Sequence, residues 1–193
     1  MDKKSLRRKY LQLKKQLSDE AVYFKSESII EKLMALPCYQ HASTIMTYID
    51  FNHEVMTRAF ISNAIKNRKK IVVPITDTTS HTLILSELKD MDRELEVSSY
   101  GILEPKKEYI RKVDVRQLDV ILVPAVLYDV LGYRIGYGGG YYDRLLCNVS
   151  NNAYCIGLAF AYQVIEHIPC EEHDQKVDMI ITEKGIIKNE YKR

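Results

Sequence analysis

The sequence predicts an α/β domain with a mostly parallel central sheet. Short β-branched, apolar runs alternate with stretches of helical period, the pattern of a strand–helix–strand chain. One of these runs, residues 120–124 (VILVP), is apolar without a break, as in a parallel strand covered on both faces. Across 193 residues, 46% hydrophobic and 28% charged, no linker, repeat or low-complexity tract intervenes, so one domain spanning 1–193 is expected.

Leu6, Tyr10, Leu13 and Leu17, spaced 4, 3 and 4 apart, mark the apolar stripe of a first helix with basic residues beside it. Ser18 before Asp19 and Glu20 predicts the N-cap and acidic first turn of a second helix. Ile29, Ile30, Leu33 and Met34 form its apolar face, and Pro37 ends it. Residues 44–49 (TIMTYI) then read as a strand, 57–68 as a helix and 70–75 (KIVVPI) as a second strand. Such a β-α-β unit implies a right-handed crossover and parallel pairing. A further strand is expected at 83–88, while 90–112 is charged and irregular and yields no element. Beyond VILVP, a helix is expected at 142–149 and strands at 154–160 and 179–182.

Composition removes several function classes. No apolar run reaches the ~18 residues of a membrane helix, and the opening MDKKSLRRKY lacks the apolar core of a secretory signal, so a cytoplasmic location is expected. Cys38, Cys147, Cys155 and Cys170 form no C-x-x-C pair and are expected to stay reduced and pack as small hydrophobes. The five histidines show no metal-binding spacing. A net charge of +2 does not call for nucleic acid, but it is unevenly spread. Residues 1–15 carry seven basic side chains against Asp2 alone, a net +6, which leaves −4 for the other 178 residues.

The densest chemical signal is residues 131–146, LGYRIGYGGGYYDRLL, just downstream of VILVP. Gly136, Gly138, Gly139 and Gly140 are half of all the glycine in the chain. Glycine so concentrated lets backbone N–H groups approach a ligand closely. A helix starting there would aim its N-terminus at the same point, an anion site beyond a strand's carboxyl end. The string fits neither G-x-x-x-x-G-K-[ST] nor G-x-G-x-x-G. Arg134 before the glycines suits phosphate, Asp143 after them suits Mg²⁺, and Tyr141 and Tyr142 can stack on a planar substrate. Glu54 follows the TIMTYI strand and Asp178 opens the last one.

These residues resemble a known family. The string from Arg134 to Arg144, preceded by Val123-Pro124-Ala125, is similar to the signature of the 5-formyltetrahydrofolate cyclo-ligases, or methenyltetrahydrofolate synthetases. Lys3-Lys4-Ser5-Leu6-Arg7 resembles the family's N-terminal K-x-x-x-R, and Glu54 with Thr57 its E-x-x-T. The string from Tyr100 to Pro105 resembles its mid-chain element, and that from His173 to Asp178 its C-terminal H-D-x-x-V-D. The resemblance implies the three-layer α/β sandwich of the ribose-phosphate isomerase and CoA-transferase-like group. It also implies conversion of 5-formyltetrahydrofolate to 5,10-methenyltetrahydrofolate with ATP and Mg²⁺. By the same resemblance, Lys3, Lys4, Arg7, Arg134, Ile135, Gly136, Tyr137, Gly138, Gly139, Gly140, Tyr141 and Tyr142 bind ATP. Ile49, Glu54, Tyr100, Tyr137, the three consecutive glycines and Tyr141 line the folate, and Asp143 and Asp178 hold Mg²⁺. Arg134, Glu54 and Tyr142 carry catalysis, Glu54 either orienting the pterin or managing a proton at N10. The expected partners are small molecules, with no nucleic acid and no membrane, acting on a monomer. Many members carry arginine where this chain has Tyr137. That departure favours the alternative, a paralogue that binds folate or nucleotide without turnover.

Overall fold

The computed structural model describes residues 1–98 and 101–189. It opens with α1 (Lys3–Lys14) and α2 (Asp19–Met34), each started by a side-chain cap from Asp2 and Ser18 respectively. α2 stops at Ala35, and Pro37 does not end it but opens a separate short α3 (Pro37–His41), the first-turn position proline tolerates. β1 (Thr44–Met46), α4 (Arg58–Lys66), β2 (Lys70–Asp77) and β3 (Thr82–Leu88) follow. The stretch that yielded no element contains α5 (Met91–Glu94), β4 (Leu95–Val97) and β5 (Leu103–Pro105). The second half holds β6 (Val120–Val123), β7 (Leu127–Asp129), β8 (Arg134–Ile135), α6 (Tyr141–Leu146), β9 (Tyr154–Leu158), β10 (Val164–Ile165), β11 (Met179–Thr182) and β12 (Gly185–Lys188).

Seven strands form the central sheet in the order β12-β11-β9-β6-β1-β2-β3. The five inner strands pair in parallel, and β12 and β3 close the edges as antiparallel hairpin partners. The mostly parallel α/β sheet read from the sequence is therefore what the chain forms. Strand alternation divides the core in two. Ile45, Ile71, Val73, Val120 and Leu122 pack toward α2, α3 and α4, through Ile29, Leu33, Tyr39 and Phe60. Met46, Val72, Ile121 and Val123 face the other way, onto Leu145 and Leu146 of α6. Every residue of β6 is fully buried, as an unbroken apolar run in a two-sided strand requires.

A second, three-stranded sheet, β10-β7-β8, leaves the carboxyl end of β6, and α1 lies on it through Leu6 and Tyr10 against Val126, Leu127 and Ile135. Tyr128 of β7 joins the two sheets: its buried hydroxyl donates to the Val123 carbonyl at 2.6 Å. Its ring fills the space beside Gly157 of β9, where an added Cβ would stand 2.7 Å from the ring. Gly157→Ala is expected to cost about 1–3 kcal/mol through overpacking, measured as a lower denaturant midpoint with an unchanged slope.

β1 is shorter than the expected 44–49. Thr47 N–H still donates to Val72 O, but the chain then folds back on itself. The Thr57 hydroxyl donates to Tyr48 O at 2.8 Å, and Asp50 Oδ1 accepts the Thr57 N–H at the same distance. This closed loop carries Glu54 at the carboxyl edge of the sheet. Of the cysteines only Cys155 is buried; Cys147 and Cys170 are exposed, so the small-hydrophobe reading fails for those two. Among the described residues, no helix is long and apolar enough to cross a membrane.

Candidate active site

The glycine loop begins where β8 ends. Gly140 sits at φ +66°, the left-handed region, as the residue preceding α6. Gly139 has no room for a Cβ, which would meet the Tyr141 ring at 2.4 Å. Two arginines fix the loop from outside. Arg7 of α1 donates from Nε to Gly136 O at 2.7 Å, and its guanidinium lies over Gly138. Arg144 donates to Gly139 O and to His81 O, strapping the loop to the β2–β3 turn.

On its other side the loop meets the Glu54 turn. Asn52 and His53 both adopt left-handed backbone, φ +47° and +56°, a strained pair that turns the chain so that Glu54 faces inward. The Tyr137 hydroxyl donates to Glu54 Oε1, and Lys14 Nζ donates to the Tyr137 oxygen at 2.8 Å. Glu54 Oε2 accepts the Phe51 N–H at 3.2 Å. Burial pushes the Glu54 carboxyl above its ordinary range, while Lys14 and Tyr137 oppose that rise. Tyr137 as a whole is 54% exposed, but its hydroxyl is set between Lys14 and Glu54, and desolvation at that end together with the Glu54 charge raises its phenol. Beside them the Tyr142 hydroxyl is buried without a hydrogen-bond partner among the described residues, its phenol also raised by burial and by Glu54. A buried hydroxyl with no protein partner is a place for a ligand's polar group.

Several predicted residues do other work. Arg134 is only 7% exposed, and it donates to Asp143 Oδ1 at 2.7 Å and to Gln175 O at 2.6 Å. It therefore ties the 173–178 segment to the start of α6. Ile135 and Ile49 are buried, Ile135 against Leu6 and Tyr10 of α1 and Ile49 among the residues of the main core. Asp178 accepts the Cys155 N–H at 2.7 Å, at the amino-terminal half of the β9–β11 pair, whereas Asp143 is held by Arg134 and Gln175. Lys4 is exposed on the outer face of α1, in a groove of about 350 Å³ shared with Arg8, Leu11 and Lys15. Lys3 pairs with Asp174 at 2.6 Å and Glu171 at 3.0 Å; burial would depress its ammonium, but these partners hold it raised. Tyr141 borders a cavity of about 580 Å³ with Leu83, Val113 and Arg144. Tyr100 lies outside the described residues.

Lys14 escaped the sequence reading. Its signal was there: four residues after Tyr10, it is a lysine inside the apolar stripe of α1.

The model of the 5-formyltetrahydrofolate cyclo-ligase family matches residues 1–183. The chain belongs to that family. It is 31% identical over 151 residues to the 5-formyltetrahydrofolate cyclo-ligase of Haemophilus influenzae, covering 77% of this chain and 80% of the relative. The solved 5,10-methenyltetrahydrofolate synthetase of Aquifex aeolicus superposes with a TM-score of 0.86 at 32% identity, over 100% of this chain and 95% of that one. The Mycoplasma pneumoniae synthetase gives 0.77 at 25%, over 95% and 99%. With cyclo-ligases matched along nearly its whole length, the chain is an enzyme of the cyclo-ligase class.

Proposed function

We propose that the protein converts 5-formyltetrahydrofolate to 5,10-methenyltetrahydrofolate at the expense of ATP. The observation that carries the reading is the double contact of one loop: Arg7 holds Gly136, and the next residue, Tyr137, reaches Glu54. A cationic phosphate side and a carboxylate folate side thus share a wall a few residues long. In the reaction, the formyl oxygen attacks the γ-phosphorus and the bond to ADP breaks. N10 then attacks the formyl carbon and loses its proton, and the C–O bond breaks to release phosphate. Phosphoryl transfer asks mainly for positioning and charge stabilisation. The backbone N–H groups of residues 138–140 and the guanidinium of Arg7 supply these, and Arg134 holds the loop's base.

Glu54 receives the pterin's N–H donors or takes the N10 proton, and the unpartnered Tyr142 hydroxyl binds a substrate oxygen or nitrogen. Asp143 suits Mg²⁺: both its hydrogen bonds fall on Oδ1, it is 27% exposed, and Mg²⁺ commonly takes one carboxylate plus phosphate oxygens and water. That ion would neutralise phosphate charge. Asp178 would serve it indirectly, by anchoring the strand that follows the Gln175 segment. Within the basic N-terminal segment, Lys3, Arg7 and Lys14 are engaged by groups of the protein, while Lys4, Arg8, Lys9 and Lys15 are exposed.

The test is purified protein with 5-formyltetrahydrofolate, Mg²⁺ and ATP, followed by the near-ultraviolet absorbance of the methenyl product. ATP-dependent product is expected; folded protein that forms none overturns the proposal. Arg7→Ala is expected to raise the ATP requirement by roughly 10- to 150-fold, the worth of a charge-assisted hydrogen bond. Folate binding without nucleotide should barely move. Exposed Lys15→Ala, two turns along, is the control that should change neither.

A further inference from the structure

We propose that Lys14 is a positioning residue of this site, the fixed cation against which Tyr137 and Glu54 are set. The inference rests on the reading of Glu54 as the folate-side carboxylate. Lys14 is the last residue of α1 and yet 5% exposed, where a lysine at a helix end ordinarily extends its ammonium into water. Its Nζ lies 2.8 Å from the Tyr137 oxygen, 3.8 Å from Glu54 Oε1 and 5.4 Å from the centre of the Tyr137 ring. An ammonium has donors and no acceptor, so the order of the chain is forced. Lys14 donates to Tyr137, and the Tyr137 proton points at Glu54. With Phe51 N–H on Oε2, the carboxylate is held at both oxygens in one orientation.

Among the described residues, the other groups around Glu54 supply no positive charge. Asp50 shares its loop, and the phenols of Tyr48, Tyr128 and Tyr142 face it from the end of β1, from β7 and from α6. His53 turns away, its ring between Asp19 and the Lys14 carbonyl. Among the described residues, Lys14 is the cation paired with Glu54. Removing it leaves a buried carboxylate beside one acid and four phenols, Tyr137 included, which takes up a proton more readily and stops accepting from substrate N–H groups.

The experiment is carboxyl ¹³C NMR on the full chain, with Glu54 assigned by its loss in Glu54→Gln. In Lys14→Met the Glu54 titration is expected to move up by about one pH unit or more. The folate KM should rise about tenfold, with the KM for ATP unchanged and Lys14→Arg restoring both readouts. A folded Lys14→Met with wild-type Glu54 titration and folate KM overturns the proposal. A wild-type measurement stands beside it: the Lys14 ¹³Cε resonance should shift as Glu54 titrates, and no shift overturns the pairing even if the variant fails to fold. Neither NMR readout needs turnover. Loss of the cyclo-ligase reading, seen as no methenyl product from wild type, is thus distinct from loss of this one.

Discussion

Glu54→Gln is expected to lower turnover of 5-formyltetrahydrofolate by about 10²- to 10⁴-fold, the range of a lost general base. Glutamine keeps the shape and one acceptor but cannot take a proton. A loss confined to kcat would identify Glu54 as the group that manages the N10 proton. A loss mainly in KM would identify it as the group that orients the pterin. Stability should move differently. Burial raises the Glu54 carboxyl, so the folded state holds that proton more tightly than the unfolded chain. This contribution is complete below the unfolded value and is lost as pH rises through the folded one. Compared with the glutamine variant, wild type should therefore gain stability as pH falls through the carboxylate range. Denaturant midpoints of the two proteins across that range would measure it.

Arg134→Met is expected to cost about 2–4 kcal/mol, below the 3–5 of a fully buried pair because Asp143 keeps some solvent. The methionine fills the volume but leaves Asp143 unpaired and frees the carbonyl of Gln175. Activity should fall further than stability explains, since the same contacts set the start of α6 and with it Tyr142. Arg134→Lys would keep the charge without the two-pronged geometry, and a loss between those of wild type and Arg134→Met is expected. Equal denaturant midpoints for wild type and Arg134→Met would mean that the bridge to Gln175 carries no structural weight.

The inner strands were legible because their signal is local. TIMTYI, KIVVPI and VILVP are runs whose burial depends on nothing but their own side chains meeting a sheet. β7, β8 and β10 were missed because two or three residues cannot show a period, and what defines them is pairing across the chain. The 90–112 stretch was opaque for a related reason. Arg111 grips Glu94 with both terminal nitrogens at 2.8 Å, seventeen residues apart, and charge spacing alone does not announce that partnership. In the candidate site, Tyr137 and Glu54 were legible as residues of interest because loops display them, and the structure brings the two into contact. What the sequence does not show is where a cation finds an acid inside the protein: the contacts of Arg134 with Asp143 and Gln175 join segments that only the fold brings together.

α1 also has a history that its final contacts conceal. Four of its partners, Tyr137, Gly136, Glu171 and Asp174, lie 123 to 171 residues further along the chain, against 39 for His53. A helix of 12 residues is marginal by itself in water. At ribosomal speeds of roughly 5–20 residues per second, it waits on the order of 6–25 s before the first of those partners has even been synthesised. α1 is thus held in full only by residues synthesised well after it. The pocket's two sides come into register only when the opening turns of the chain close over its second half.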